Sequence, residues 1–202
     1  GHGGSACADF LRDNLYRFVT REAAFPTNPK EALMKGFLAA EASFFEVAEK
    51  TNNLKLSRSG SCALVALIVD DMCYIANVGD SRAVMSSDNG QYIYDLSKDH
   101  KPSEESEMKR IIEAGGMVYQ SGQRSQKVIT PVDVTNSPSD HAPYRVYPGR
   151  LSVSRTFGDL YAKSAQHGGN PNVVIAEPEI KAFKINPSHD FIILASDGVY
   201  DK

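Results

Sequence analysis

Cysteine is scarce in this sequence, whose 202 residues include only Cys7, Cys62 and Cys73. The number is odd, the spacing is scattered and no Cys-x-x-Cys motif occurs, which argues against a disulfide framework or a thiolate zinc site. Each cysteine lies in an apolar pattern and is predicted to be a small core residue. This cysteine usage fits a reducing compartment, so we expect an intracellular protein, cytoplasmic or nuclear.

Long runs of one residue class are also missing. The 22 basic and 25 acidic residues give a net charge of −3, and no long basic run occurs. The sequence therefore carries no electrostatic signature of binding to nucleic acid or to an anionic membrane. No apolar stretch is long enough to span a bilayer. A hydrophobic content of 42% at this length predicts one domain with its own core, which we expect to be a monomer.

The chain begins with GHGGSACADF, which has neither an initiator Met nor the pattern of a signal peptide. We therefore expect the sequence to be a fragment or a processed piece of a longer protein. Its targeting information would then lie outside these residues.

Three segments have the apolar periodicity of helices. The first runs from Ser5, a predicted N-cap, to about Glu22. The second follows Asn28, which begins an Asn-x-x-Glu capping box. The third follows Ser103, its predicted N-cap, and Gly115 is predicted to end it.

The stretch from residue 62 to residue 97 has the pattern of strands. Its four apolar runs are divided by Asp70-Asp71, by Gly79-Asp80 and by Asp88-Asn89-Gly90. An Asn-Gly pair between two such runs is a strong hairpin signal, so we predict an antiparallel meander.

The remaining half of the chain mixes a polar segment with further strands. Residues 121–149 are rich in Ser, Pro, Thr and Asp without periodicity, which predicts a surface insertion. Phe191–Ala195 is predicted to be a buried strand. The order of helices and strands predicts an α+β domain built in layers.

Three carboxylates, Asp80, Asp197 and Asp201, lie beside glycines or at the ends of apolar runs. Such an Asp is often only a turn residue that stabilises its own loop. Strand ends of one sheet can also converge, and clustered carboxylates repel one another unless they are protonated or bound to a cation. Hard oxygen ligands without a His/Cys set indicate Mg²⁺ or Mn²⁺ rather than zinc.

The GHGG motif at the start of the chain allows two interpretations. His2 lies between glycines just before a helix, where the backbone can approach a metal or a phosphate closely and the helix N-terminus adds a positive field. The alternative interpretation is a flexible lead-in to the helix.

Five motifs together resemble one protein family. GHGG, SGSCALVALI, ANVGDSRAV, LSVSRTFGD and FIILASDGVYD occur in the order typical of metal-dependent protein serine/threonine phosphatases of type 2C. Each motif is weak by itself, but five in the correct order are highly specific, and they extend over nearly the whole chain.

The resemblance implies a four-layer α-β-β-α sandwich with two central antiparallel sheets. It also implies two or more Mg²⁺ or Mn²⁺ ions per site and a metal-bridged hydroxide that attacks phosphoserine or phosphothreonine in line, without a phosphoenzyme. Phosphoproteins would be the partners. The chemical logic is sound, because two metals can activate water, orient the phosphate and neutralise charge in the transition state.

The resemblance assigns roles residue by residue. His2 matches the general acid that protonates the departing alkoxide, and an imidazole suits that role near neutral pH. Asp197 and the backbone carbonyl of Gly1 match metal ligands, and Asp80 and Asp201 match ligands of an additional metal. Three other motif residues are interpreted as buried or loop-bracing hydrogen-bond partners, namely Arg82, Arg155 and Asp159.

The sequence departs from the family pattern at both ends. The metal-bridging Asp that should precede Gly1 is absent, as are an upstream segment with a phosphate-binding Arg and a downstream Asp-Asn motif. Cys62 replaces the usual Thr and Tyr200 the usual Trp, which are mild changes. We therefore expect residues 1–202 to form part of a catalytic domain, with weak metal affinity and poor or absent turnover when alone. Two alternatives remain open, a non-catalytic pseudophosphatase that binds partners and a hydrolase of small phosphate esters.

Overall fold

The computed structural model describes residues 1–51, 54–120 and 142–201. The helices are α1 (Ala6–Arg21), α2 (Pro29–Thr51), α3 (Leu54–Arg58), α4 (Glu105–Glu113), α5 (Leu160–Lys163) and α6 (Asp197–Tyr200). A 3-10 turn spans Ala165–His167. The strands are β1 (Gly60–Ser61), β2 (Ala63–Val69), β3 (Met72–Val78), β4 (Arg82–Ser87), β5 (Tyr92–Asp95), β6 (Met117–Gln120), β7 (Tyr144–Tyr147), β8 (Phe157–Gly158), β9 (Glu179–Lys184) and β10 (His189–Ala195).

The three predicted helices are confirmed as α1, α2 and α4. The capping box of α2 is formed, since Asn28 Oδ1 accepts a hydrogen bond from the Glu31 backbone at 3.2 Å and the amide donates to the Glu31 carboxylate at 2.9 Å. The predicted N-cap of α4 was wrong: the helix begins one residue later, with Glu104 at the cap position. The Ser103 side chain therefore lies before the first orphan amides of that helix.

The predicted meander was wrong in its connectivity, although its hairpins are present. β2 and β3 form one antiparallel hairpin and β4 and β5 another. They belong to different sheets, with strand orders β2-β3-β9 and β10-β4-β5. The chain crosses between the sheets at Gly79, whose φ of +109° and close contact with Cys62 need a residue without Cβ.

The two sheets pack face to face, with helices outside the first. α1 and α2 cover the β2-β3-β9 sheet through a core that includes Leu11, Phe37 and Ala76. A second cluster lies between the sheets and joins Ile75 of β3 to Met85 of β4. The α+β class and the stacked antiparallel sheets are confirmed, and the described residues form three successive layers, α, β and β.

The prediction that Phe191–Ala195 is a buried strand was wrong. β10 forms the edge of its sheet, and Phe191 and Ile193 are 57% and 45% exposed. These two side chains lie two residues apart and share one face, the one opposite Ile192, which packs between the sheets. An apolar run alone does not show whether both faces of a strand are covered.

A smaller unit lies beside the sandwich. α4 packs with β6 and β7 around Met108, Ile111 and Val146, all fully buried. The predicted surface insertion over residues 121–149 therefore ends too late, because Tyr144–Tyr147 is a strand that contributes a core side chain. Residues 121–141 lie outside the described residues, so the insertion itself stays a prediction.

The carboxylate of Glu107 joins this unit to the sandwich. Arg155 donates to it at 2.6 Å, Arg110 at 2.9 Å and Ser154 at 2.6 Å. Burial by itself would raise the pKa of Glu107, but the hydrogen bonds and positive charges of Arg155 and Arg110 outweigh it and lower the pKa to about 2. This contact agrees with the interpretation of Arg155 as a bracing residue.

We expect the Glu107 carboxylate to make the folding stability of the protein depend on pH. The pKa of Glu107 is lower in the folded than in the unfolded chain, so its contribution of about 3 kcal/mol is present above about pH 5 and is lost as the pH falls towards 2. Urea unfolding at pH 7, 5 and 3 measures the loss. Glu107→Gln should flatten this pH dependence, whereas Glu113→Gln, an exposed glutamate of the same helix, should not. An unchanged slope in Glu107→Gln would refute the assignment.

A helix that crosses a bilayer needs about 20 mostly apolar residues. Within the described part of the chain, no helix is both long enough and apolar enough to cross a membrane.

Candidate metal and phosphoester site

The GHGG motif is attached to the sandwich by backbone hydrogen bonds. The amide of His2 donates to Gly60 O at 2.8 Å, and the amide of Gly60 donates to His2 O at 2.9 Å. Gly60 in turn pairs with Gly158 across the β1–β8 ladder. The motif is therefore part of a small sheet and not the flexible lead-in of the alternative interpretation.

Four of the five predicted site residues line one cavity of about 500 Å³. Its wall includes Gly1, His2, Asp80 and Asp197. A neighbouring cavity of about 390 Å³ shares Asp80 and Asp197 and adds Asp201. The structure thus brings together residues from the N-terminal motif, the turn after β3 and the end of β10.

Asp80 lies at the point where the chain crosses from the first sheet to the second. The thiol of Cys62 lies 3.4 Å from Asp80 Oδ1, in donor distance for a sulfur hydrogen bond. Burial raises the pKa of Cys62 to about 12, so the thiol keeps its proton at neutral pH and can donate it. Cys62 was predicted to be a core residue, but it is half-buried and lines the cavity.

Asp197 begins α6, directly after β10. Its Oδ1 accepts a hydrogen bond from the Gly198 amide at 2.8 Å, and its side chain is exposed. No cationic side chain of residues 1–51, 54–120 and 142–201 lies within ion-pair distance of it. The carboxylate is therefore open to the cavity and available to a cation.

Asp201 has a different electrostatic environment. Lys101 and Arg82 each lie 3.9 Å from its carboxylate oxygens. The guanidinium of Arg82 is bound to both oxygens of Asp99 at 2.8 Å, which agrees with its interpretation as a bracing residue. Asp201 thus has weak positive partners, and a metal would have to compete with them.

The oxygen atoms of these site residues are of the kind that a hard cation binds, but they are too few to complete its coordination sphere. Carboxylate and carbonyl oxygens are the ligands that Mg²⁺ and Mn²⁺ prefer. Among the residues that the structure describes, however, no three His, Cys, Asp or Glu side chains lie close enough together to hold a metal ion. The residues present therefore fit part of a coordination sphere.

A buried carboxylate that was interpreted as a bracing residue contacts His2 directly. Both oxygens of Asp159 lie within hydrogen-bond distance of His2 Nε2, at 2.9 and 2.8 Å. The Asp159 side chain is 7% exposed and the His2 side chain 40%. The sequence showed that both residues belong to motifs, but no periodicity could show that residues 157 positions apart form a pair.

A second buried network holds the segment before Asp159. The carboxylate of Glu41, on α2, accepts a hydrogen bond from the Gly158 amide at 2.9 Å and is paired with the ammonium of Lys163. Lys163 also donates to Thr156 O at 2.6 Å. Burial raises the pKa of Glu41 and the ammonium of Lys163 opposes that rise, as expected for a buried ion pair.

Comparison with known proteins gives one consistent result. The sequence profile described as Protein phosphatase 2C matches residues 1–202, the whole chain. A protein of Arabidopsis thaliana named Probable protein phosphatase 2C 2 is 37% identical over 205 residues, which are 100% of this chain and 44% of that relative. The chain therefore spans less than half the length of this relative.

Solved structures show the same fold. A serine-threonine phosphatase 2C from Toxoplasma gondii superposes with a TM-score of 0.67 at 22% identity, over 100% of this chain and 66% of that one. A Caenorhabditis elegans sex determining protein superposes with a TM-score of 0.74 at 24% identity, over 99% of this chain and 42% of that one.

Proposed function

Because the chain belongs to the protein phosphatase 2C family, we propose that it forms part of the catalytic domain of a metal-dependent phosphatase for phosphoserine and phosphothreonine in proteins. One observation carries the proposal: His2, Asp80, Asp197 and Gly1 line the same cavity. They come from three separate motifs, and their meeting at one edge of the sandwich is what a phosphoester site requires.

Asp80, Asp197 and the Gly1 carbonyl would hold Mg²⁺ or Mn²⁺, and Asp201 would contribute to a weaker additional site. When bound, two or more such ions would supply activated water and neutralise phosphate charge. The described residues provide fewer carboxylates than such a centre needs, so tight binding by residues 1–202 alone is not expected.

His2 would act on the leaving group. Its half-exposed ring lies on the cavity wall, where it can hand a proton to the serine or threonine oxygen as the phosphorus–oxygen bond breaks. Asp80 would stay in place through its turn between the sheets and through the Cys62 thiol.

The oligomeric state, the location and the partners of the protein are also proposals. The protein is proposed to act as a monomer, to lie in the cytoplasm or nucleus, and to bind phosphoproteins but neither nucleic acid nor membranes. The pseudophosphatase alternative gains support only if metal-dependent activity is absent, and the small-ester alternative only if phosphopeptides are poor substrates.

The experiment that tests the proposal measures phosphate release by the full-length protein. We expect release from a phosphoserine peptide in Mn²⁺ or Mg²⁺, and none in excess chelator, because the carboxylates cannot activate water unaided. Restoring Mn²⁺ after chelation should recover the rate and is the internal control. Full activity in chelator would contradict the metal mechanism, and activity confined to a small aryl phosphate would favour the small-ester alternative.

A further inference from the structure

We propose that Asp159 is a positioning residue for His2, one that fixes the orientation of the imidazole and the nitrogen that carries the transferable proton. The inference rests on the proposed function, in which His2 protonates the leaving oxygen. It assigns Asp159 a role beyond bracing its own loop.

The contact between the two side chains defines the direction of the ring. Both carboxylate oxygens of Asp159 face one nitrogen, His2 Nε2, at 2.9 and 2.8 Å. A carboxylate has no proton to donate when ionised, so Nε2 is the donor. The other ring nitrogen, Nδ1, has no hydrogen-bond partner among the residues described and is left to carry the proton that moves to the substrate.

The backbone around the pair is arranged to permit this contact. The two side chains meet above Gly60, where an added Cβ would overlap both Asp159 Oδ2 and His2 Nε2. Asp159 itself has a left-handed backbone conformation, with φ of +54°, which is uncommon outside glycine. Strained residues of this kind persist where the surrounding structure holds them.

Asp159 is held on both sides by buried groups. Its amide donates to Ser59 O at 2.9 Å, and the preceding amide, of Gly158, donates to the buried Glu41. Lys163, one turn after Asp159, is paired with the same Glu41 carboxylate. The position of Asp159 is therefore set by the core of the domain, whereas the His2 ring lies on the cavity wall and has no other hydrogen-bond partner in the described part of the chain.

The electrostatics of the pair favour the same assignment. Asp159 is 7% exposed, and within the described ranges its carboxylate has no hydrogen-bond donor other than His2. A buried carboxylate holds a hydrogen-bond donor strongly, because the low dielectric around it strengthens the bond. Carboxylate–imidazole contacts of this kind are known to orient a catalytic histidine.

The test compares two substrates whose leaving groups differ in their need for a proton. An alkoxide such as that of phosphoserine needs protonation as it leaves, whereas p-nitrophenolate does not. In the full-length protein with Mn²⁺, Asp159→Asn should lower kcat on a phosphoserine peptide at least about tenfold, up to the ~10²–10⁴-fold loss of His2→Ala. Its kcat on p-nitrophenyl phosphate should fall less than about threefold, and KM for the peptide should change little.

Two further variants separate positioning from a purely structural role. In the His2→Ala background, Asp159→Asn should cause no additional loss, because a residue that acts through His2 has nothing left to orient. Gly60→Ala inserts a methyl group between the two side chains without removing a charge, and it should reproduce the leaving-group difference. Asp71→Asn, which removes an exposed carboxylate paired with Lys184, is the control.

The outcomes are distinct. Asn suits the left-handed conformation of residue 159, but if Asp159→Asn does not fold, Gly60→Ala decides. Equal losses on both substrates, additive losses with His2→Ala, or rates equal to those of the Asp71→Asn control would each overturn the inference while the unchanged protein and His2→Ala behave as expected. If the unchanged protein releases no phosphate from either substrate in Mn²⁺, the proposed function fails and this inference fails with it.

Discussion

Replacing Asp197 with Ala is expected to reduce metal-dependent phosphate release by the full-length protein to background. The physical reason is the position of the carboxylate: it is exposed, it lines both cavities, and no cationic side chain in the described part of the chain forms an ion pair with it. Its Oδ1 accepts a hydrogen bond from the Gly198 amide, and Oδ2, which accepts no hydrogen bond from the described residues, is available as a cation ligand. The measurement is the initial rate on a phosphoserine peptide across a Mn²⁺ titration.

The change should affect function much more than folding. Among the described residues, the side chain makes one short-range hydrogen bond, from the Gly198 amide, so the urea midpoint should remain close to that of the unchanged protein. Asp95→Ala is the matched control, since Asp95 is also an exposed carboxylate at a strand end but lines neither cavity. Full activity of Asp197→Ala at low Mn²⁺ would show that Asp197 is not a metal ligand.

Replacing His2 with Ala is expected to lower kcat on a phosphoserine peptide by ~10²–10⁴-fold, the usual effect of losing a general acid. The half-exposed His2 ring shares this cavity with Asp80 and Asp197, and no other histidine of the described residues lines its wall. The loss should be much smaller on p-nitrophenyl phosphate, because its leaving group needs no proton. Steady-state rates on the two substrates give the comparison.

His189→Ala provides the control for a lost imidazole. His189 lies at the start of β10, whereas Asp197 follows the other end of the same strand. The His189 ring is therefore distant from the cavity that Asp197 lines. It contacts Phe183 and Asn186. If His2→Ala and His189→Ala had similar rates on the peptide, His2 would not be the acid, and the cavity would need another proton donor.

Much of the secondary structure could be predicted because its causes are local. Asn28 and Glu31 form the predicted capping box, since the two residues lie within one helical turn of each other. The hairpin at Asn89-Gly90 is present for the same reason, a turn conformation that glycine and asparagine favour. Ser103 failed as the cap of α4 because helix boundaries shift by a residue or two without changing the local pattern.

The packing of the strands could not be predicted in this way. An apolar run such as Phe191–Ala195 is compatible with a central or an edge strand, and only its neighbours determine how much of it is covered. The crossing between sheets at Gly79 is similar, because the same Gly-Asp sequence could have closed a hairpin. Both outcomes depend on where other strands lie, which periodicity does not record.

The sequence alone determined the family, the element types and the five candidate residues, because motifs in a specific order and local backbone preferences are properties of short segments. The tertiary structure decided which of those residues share a cavity and what supports them. It brings the Asp159 carboxylate into hydrogen-bond distance of His2, and the Cys62 thiol into hydrogen-bond distance of Asp80. It also places the Glu41–Lys163 ion pair next to the segment that carries Asp159. These contacts join residues far apart in the chain, and their geometry follows from how the sheets and helices pack, since a side chain can select its partner only after the backbone has brought the two together.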